Sequence, residues 1–414
     1  MTTPPDERPR DPVLSRTVIR QRRVVAGLAA ALVLLAVVLL VLVGSQGGTP
    51  RYVPSGASAK VLSPGRRTLP KSGGPPFKPA PVASARAQAM PLATQVAQLF
   101  LVTVNGRSPA AAVDLGAVPW GGVIFDRSNF GSARGVARLV RMVGSRLGHV
   151  PGDAPLLGAT QEGGAQSAFP DLPPKGQAAL GATGDPYQAY EQTLLAGHHL
   201  RALGVRLTLA PLADVDTPSG ALSGRLFASD PSAVAQFTTA ALSGYAQAGV
   251  IPALGHFPGS GGASADPDQM VATVGGSLAQ LEARDLIPFA AVAARAPVML
   301  MSNAAYVAFD GVTPASLSTQ AVKLLRQGLH FRGVAMSDDL DATLQPTGAQ
   351  PGAVALQALQ AGEDLLYISG PASEHQAALQ GVLSAAQHSA TIRALVHEAL
   401  LRVLSLKARY GLLR

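Results

Sequence analysis

Eight short apolar runs of strand length recur along the larger, C-terminal part of the chain. They occupy residues 99–104, 121–125, 155–159, 207–210, 251–254, 298–301, 333–336 and 365–368. Between them, residues 132–145, 185–203, 231–248, 277–294 and 320–327 carry apolar positions at helical spacing. Eight alternations of strand and helix predict an α/β fold, a (β/α)₈ barrel of the TIM type, over residues 91–414. The seventh run ends abruptly in Ser337, Asp338 and Asp339. Charge is costly to bury unpaired, so these aspartates either cap the next helix or face a cleft.

In such barrels the functional groups stand just past the C-terminal ends of the strands. Those positions hold Thr160 and Glu162 after the third run, Asp214 and Asp216 after the fourth, and His256 after the fifth. Asn303 follows the sixth, and Arg225 lies in the long fourth loop. Carboxylates with one imidazole suggest acid–base or covalent chemistry on a polar neutral substrate. No His-x-x-x-His or Asp-x-Asp-x-Asp spacing supports a metal, so neither a metal nor a cofactor is expected. Residues 255–262, GHFPGSGG, lack the Gly-Lys-Ser ending of a phosphate cradle and are expected to form a mobile active-site flap. Trp120, before the second run, is expected in the core rather than under a sugar.

The N-terminal part differs in kind. Residues 24–43 are an unbroken apolar stretch of Val, Leu, Ala and one Gly, about 30 Å long as a helix and long enough to span a bilayer. Four arginines, Arg16, Arg20, Arg22 and Arg23, precede it closely, and no basic residue follows it until Arg51. The asymmetry predicts a single-pass cell-membrane protein, with tail 1–23 in the cytoplasm and the barrel outside. The run exceeds the usual signal-peptide core, so a retained anchor is expected over a cleaved one. Residues 44–90 are rich in Pro, Gly, Ser and Lys and read as a disordered linker.

The formal charge of +8 resides in these tails. Residues 1–23 hold six arginines against three acids, and 44–90 hold seven basic residues and no acid, which leaves residues 91–414 near neutrality. Nucleic acid is therefore not an expected partner. With no cysteine in the chain, disulfides and thiolate sites are excluded. A barrel on a flexible tether needs no partner to fold, and a monomer is expected.

Several motifs stand in a recognisable order: QEGG at 161–164, LAPLADVD at 209–216, GRLFASDP at 224–231, HFPG at 256–259, DGVTPASLS at 310–318 and MSDDL at 336–340. Together they resemble the N-terminal barrel domain of glycoside hydrolase family 3, and most of all its single-domain β-N-acetylglucosaminidases (β-N-acetylhexosaminidases) of cell-wall turnover. The resemblance covers roughly residues 91–410. It implies a retaining glycosidase in which Asp338 is the nucleophile and Arg225 and His256 bind sugar; Thr160 and Asn303 are the further substrate-binding candidates. The resemblance also implies a proton carrier, in this branch a histidine paired with an aspartate two residues earlier.

The chain departs from that pattern. Asp266 holds the place of the paired aspartate, but Asp268 holds that of the histidine. Gly255 replaces a lysine, Ser260 a histidine, Thr160 an aspartate and Ala165 an arginine. Two outcomes follow. Either Asp268, its pKa raised by Asp266, serves as acid/base, or the barrel binds cell-wall glycan or a protein partner without turnover.

Overall fold

The computed structural model describes residues 77–413, apart from 116–117 and 148–149. The basic tail 1–23, the apolar span 24–43 and residues 44–76 of the expected linker lie outside the described residues. Among the described residues no helix is long and apolar enough to cross a membrane.

All eight apolar runs contribute to one parallel sheet: β1 (Phe100–Thr103), β2 (Gly122–Phe125), β3 (Leu156–Ala159), β4 (Leu207–Thr208), β5 (Ile251–Phe257), β6 (Val298–Met301), β7 (Val334–Ser337) and β8 (Leu366–Ile368). Neighbours pair in sequence order from β1 to β7, and β8 pairs with β1. The remaining seam, β7 to β8, is laddered by one bridge, Met336 with Leu365. It is reinforced where Ser337 N–H donates to the Leu365 carbonyl at 2.9 Å and Tyr367 N–H donates to Ser337 Oγ at 2.9 Å. The result is a nearly closed eight-stranded barrel, its strands buried along their length.

Helix boundaries follow local chemistry. Ser132, Asp185 and Asp230 accept from backbone amides at the starts of Ala133–Arg146, Pro186–Leu203 and Pro231–Ala248, which satisfies donors that a first turn leaves free. The pattern over 277–294 predicted one helix, whereas two form, Leu278–Ala283 and Leu286–Val292. Pro288 explains the break: its ring cannot follow the carbonyl of Arg284 in a continuous helix.

The linker expected to reach residue 90 ends earlier. Pro81–Ala89 is a helix with Ala83 and Ala87 buried on one face, packed on the final helix Ala390–Arg409. Ala80 N–H donates to Ser405 Oγ at 3.1 Å, and the Arg402 guanidinium lies 4.4 Å from the centre of the Phe77 ring. Alanines supply its apolar stripe, so the segment resembles a low-complexity linker in composition while fitting closely against a neighbour.

Lys407, on the final helix, is fully buried, and its Nζ donates to Gln98 Oε1 at 2.7 Å and Asp153 Oδ1 at 2.9 Å. Burial lowers its pKa, and Asp153 opposes that shift. Trp120 is core, as expected: its ring meets Phe100 edge-on at 6.1 Å, and its Nε1–H donates to the Leu115 carbonyl at 3.0 Å.

Candidate active site

The loops after β3, β4, β5 and β7 converge on a cavity of about 210 Å³ at the C-terminal mouth of the barrel. Thr160, Glu162, Arg225, His256, Asp268, Asp338, Asp339 and Tyr367 are among its lining residues.

The QEGG stretch builds one wall. Gln161 is fully buried, accepts from Phe169 N–H at 2.9 Å and donates to the carbonyls of Phe169, Leu172 and Pro173. That clamp holds a tight antiparallel turn in which Gly163 has φ 116° and a Cβ would meet the Lys175 carbonyl oxygen at 2.3 Å. Only glycine fits there, and Glu162 is thereby presented to the cavity. It grips Arg225 through two bonds, Nε to Oε2 at 2.7 Å and Nη2 to Oε1 at 2.5 Å. Burial raises the Glu162 pKa against the pull of Arg225. Arg225 also reaches Asp268 Oδ2 at 2.5 Å and Asp266 at 3.4 Å.

The fifth strand runs three residues beyond its expected end and carries His256 on its buried extension. Asp214, fully buried, accepts from His256 Nδ1 at 2.8 Å, from His256 backbone N–H at 3.1 Å and from Ser260 N–H. The imidazole thus turns Nε2 toward Asp268 Oδ1, 3.3 Å away. Burial works to discharge His256, but Asp214 and Asp268 outweigh it and hold its pKa well above the usual histidine range.

Asp338, at the end of β7, is 4% exposed. Its Oδ1 accepts from Asp339 N–H at 2.8 Å, while Oδ2 has no partner. Burial first and the Asp268 charge second push its pKa well up, with His256 opposing. Asp268 behaves in the opposite way. Burial would raise it, yet His256 and Arg225 prevail and hold it below the ordinary carboxylate range. The expectation that Asp266 raises Asp268 is therefore reversed, because Arg225 and His256 both engage the Asp268 carboxylate directly. One ligand atom each of His256, Asp268 and Asp338 lies within 4.8 Å of the other two.

Of the sequence-derived site residues, Asp338, Asp268, Arg225, His256 and Thr160 share the cavity, and Asp266 stands behind Arg225. Asn303 does not share it. It is fully buried, donating to the Asp339 carbonyl at 2.6 Å and accepting from Ser316 Oγ at 2.7 Å, so its amide is spent inside the protein. Asp214 serves as the partner of His256. Glu162 is the principal partner of Arg225. Asp339 is a structural acceptor, taking Asp341 N–H at 3.1 Å and Ser369 N–H at 2.9 Å, and burial pushes its pKa up to about 6. The glycine-rich stretch 255–262 is no flap. It is buried almost throughout, and Ser260 Oγ bonds Ser302 Oγ at 2.7 Å and Tyr306 OH at 3.1 Å. Tyr367 was missed because a tyrosine within an apolar strand reads as core.

A parallel eight-stranded barrel with two carboxylates facing each other at its C-terminal mouth has the construction of a glycoside hydrolase. Residues 92–406 match the glycosyl hydrolase family 3 N-terminal domain, and the chain belongs to that family. A β-hexosaminidase of Xylella fastidiosa is 34% identical over 264 residues, covering 60% of this chain and 76% of that protein. The β-hexosaminidase LpqI of Mycobacterium tuberculosis is 31% identical over 356 residues, 80% of this chain and 85% of that one. Among solved structures, a family 3 β-N-acetylglucosaminidase from Paenibacillus superposes with a TM-score of 0.72 at 29% identity, covering 78% of this chain; the chain spans only 63% of that protein. A β-N-acetylhexosaminidase from Beutenbergia cavernae gives a TM-score of 0.69 at 29% identity, covering 77% of this chain and 99% of that one.

Proposed function

We propose that the barrel hydrolyses β-linked N-acetylglucosaminides of cell-wall origin with retention of configuration, Asp338 acting as nucleophile and Asp268 as acid/base. The observation that carries this reading is the approach of the two carboxylates to within 4.8 Å across one cavity. Retaining pairs stand about 5–5.5 Å apart, whereas inverting pairs leave room for a water.

The chemistry follows from the hydrogen bonds. Asp339 N–H fixes Oδ1 of Asp338 and leaves Oδ2 free to attack the anomeric carbon as the glycosidic bond breaks. Two carboxylates this close share one proton in the working state. In the empty site the proton resides on Asp338, since Arg225 and His256 keep Asp268 ionised. Sugar hydroxyls that take over Arg225 and His256 loosen their hold on Asp268, and the proton passes to it. Asp268 then protonates the departing oxygen, and in the second half-reaction removes a proton from the water that cleaves the glycosyl–Asp338 ester. Thr160 lines the sugar site, and Asp266 steadies the loop by accepting Asp268 N–H at 3.2 Å.

The deciding experiment is turnover of 4-nitrophenyl N-acetyl-β-glucosaminide by the full-length chain beside Asp338→Asn, with NMR of the first anomer released. A β-anomer formed only by the parent chain supports the proposal; an α-anomer, or parent turnover no greater than the variant's, overturns it. The rival reading, glycan binding without turnover, is favoured by one observation: Arg225 and His256 are already engaged by Glu162, Asp268 and Asp214. Measurable glycan affinity with no turnover would select it.

For the cell, the proposal places the barrel outside the membrane as a monomer, with residues 24–43 as anchor. The excess of three arginines over acids before that span and the apolar length of the span support this placement. Release of the protein from the membrane fraction on deletion of residues 24–43 is the expected outcome.

A further inference from the structure

We propose that His256 Nε2, Asp268 Oδ1 and Asp338 Oδ2 form a three-ligand site for a transition-metal dication of the zinc type, which excludes sugar when bound. The sequence hides this site, because its ligands come from β5, from the loop after β5 and from the end of β7 and have no motif spacing.

Three independent features support it. Two zinc ligands at bonding distances of about 2.0–2.1 Å in tetrahedral geometry stand about 3.3–3.4 Å apart. His256 Nε2 and Asp268 Oδ1 are 3.3 Å apart. Second, His256 is held as metal-binding histidines are, with its other ring nitrogen on a buried carboxylate, Asp214, which fixes the ring's direction. Third, Asp338 Oδ2 is buried, has no hydrogen-bond partner and belongs to a residue that lines the cavity. One carboxylate oxygen of Asp338 already lies within 4.8 Å of the other two ligand atoms, so reaching coordination spacing asks for a shift of at most about 1.5 Å. Asp268 is anchored from behind by Arg225 on its other oxygen, so Oδ1 is the atom it has to offer.

One imidazole with two carboxylates suits zinc better than calcium or magnesium, which call for six or more oxygens or a largely hydrated shell. Three protein ligands leave a fourth position open. A dication there would engage the atom that attacks the sugar and the group that carries the proton. Inhibition by the metal rests on the glycosidase proposal; binding of the metal does not.

The test uses the full-length chain, stripped with EDTA and titrated with zinc chloride by calorimetry, with visible absorption of the cobalt(II)-loaded chain as a second readout. One metal per chain is expected, with affinity reduced at least a hundredfold in Asp268→Asn and His256→Gln. Asp214→Asn, which disturbs only the outer contact, should cost about 10–100-fold. Cobalt(II) absorption bands should disappear in Asp268→Asn, a loop variant that leaves the core intact. Absence of binding, or affinity unchanged in these variants, would overturn the site. If the chain turns over aryl glycoside, zinc should inhibit competitively and EDTA should restore the rate; binding without inhibition would overturn the placement on Asp338. If no turnover is seen while zinc binds through these residues, the glycosidase proposal fails and the metal site stands.

Discussion

Asp214 holds His256 twice, through the ring Nδ1 at 2.8 Å and through the backbone N–H at 3.1 Å, so one buried carboxylate sets both where the strand ends and where the imidazole points. Asp214→Asn removes the charge that chiefly sustains the imidazolium. The His256 pKa is therefore expected to fall, read from its ring NMR shifts. KM for the aryl glycoside should rise about tenfold with a smaller change in kcat, because the ring binds sugar and does not carry the proton.

The pH profile follows from the carboxylate pair. Asp338 must be ionised to attack, and burial together with Asp268 holds its pKa well above the ordinary value. The pair works with one proton, which the empty site keeps on Asp338 and passes to Asp268 on binding, so kcat/KM should be lost as pH rises through that raised value. Asp268→Asn leaves Asp338 to work ionised and alone, so that alkaline limb should vanish and turnover of aryl glycosides should instead be lost as pH falls through an Asp338 value lowered by the removal of its negative neighbour. The same variant should lose about 10²–10⁴-fold in kcat on substrates with poor leaving groups and much less on aryl glycosides, which leave without a proton. A limb that stays in place would remove Asp268 from the account.

Stability should depend on the buried Lys407–Asp153 pair. Lys407→Met alone leaves Asp153 buried without its cation and is expected to cost about 3–5 kcal/mol in urea unfolding. Lys407→Met combined with Asp153→Leu should recover most of that loss, since it is the unpaired charge that is costly.

A chain starting at Pro91 should be less stable than one starting at Phe77. It lacks the buried faces of Ala83 and Ala87 and the contact of Phe77 with Arg402, together worth about 2 kcal/mol. Matched melting curves of the two proteins test this.

The barrel was legible because parallel strands are buried on both faces, so each run is unbroken apolar sequence between polar loops. The positions of Asp338, Arg225 and His256 were legible for a related reason: charge at the end of such a run has few structural uses. Pairings were harder to read. Nothing local distinguishes Asp214 as the partner of His256 rather than of Arg225, and Glu162 meets Arg225 across 63 residues. Asn303 occupies a functional register position yet turns its amide to Asp339 and Ser316, a choice made by side-chain packing. The flap expected at 255–262 followed from its glycines, whereas the serine and tyrosine hydroxyls that lock it lie 42 and 46 residues away.

The β7–β8 seam gives the site a mechanical dependence. Leu340 N–H donates to the Tyr367 carbonyl at 2.9 Å, and Asp339 spans from Asp338 to Ser369, so the nucleophile is aligned by the same few bonds that shut the barrel beside it. Amide exchange at Tyr367 and Ser369 would therefore report how often the reacting carboxylate loses its aim.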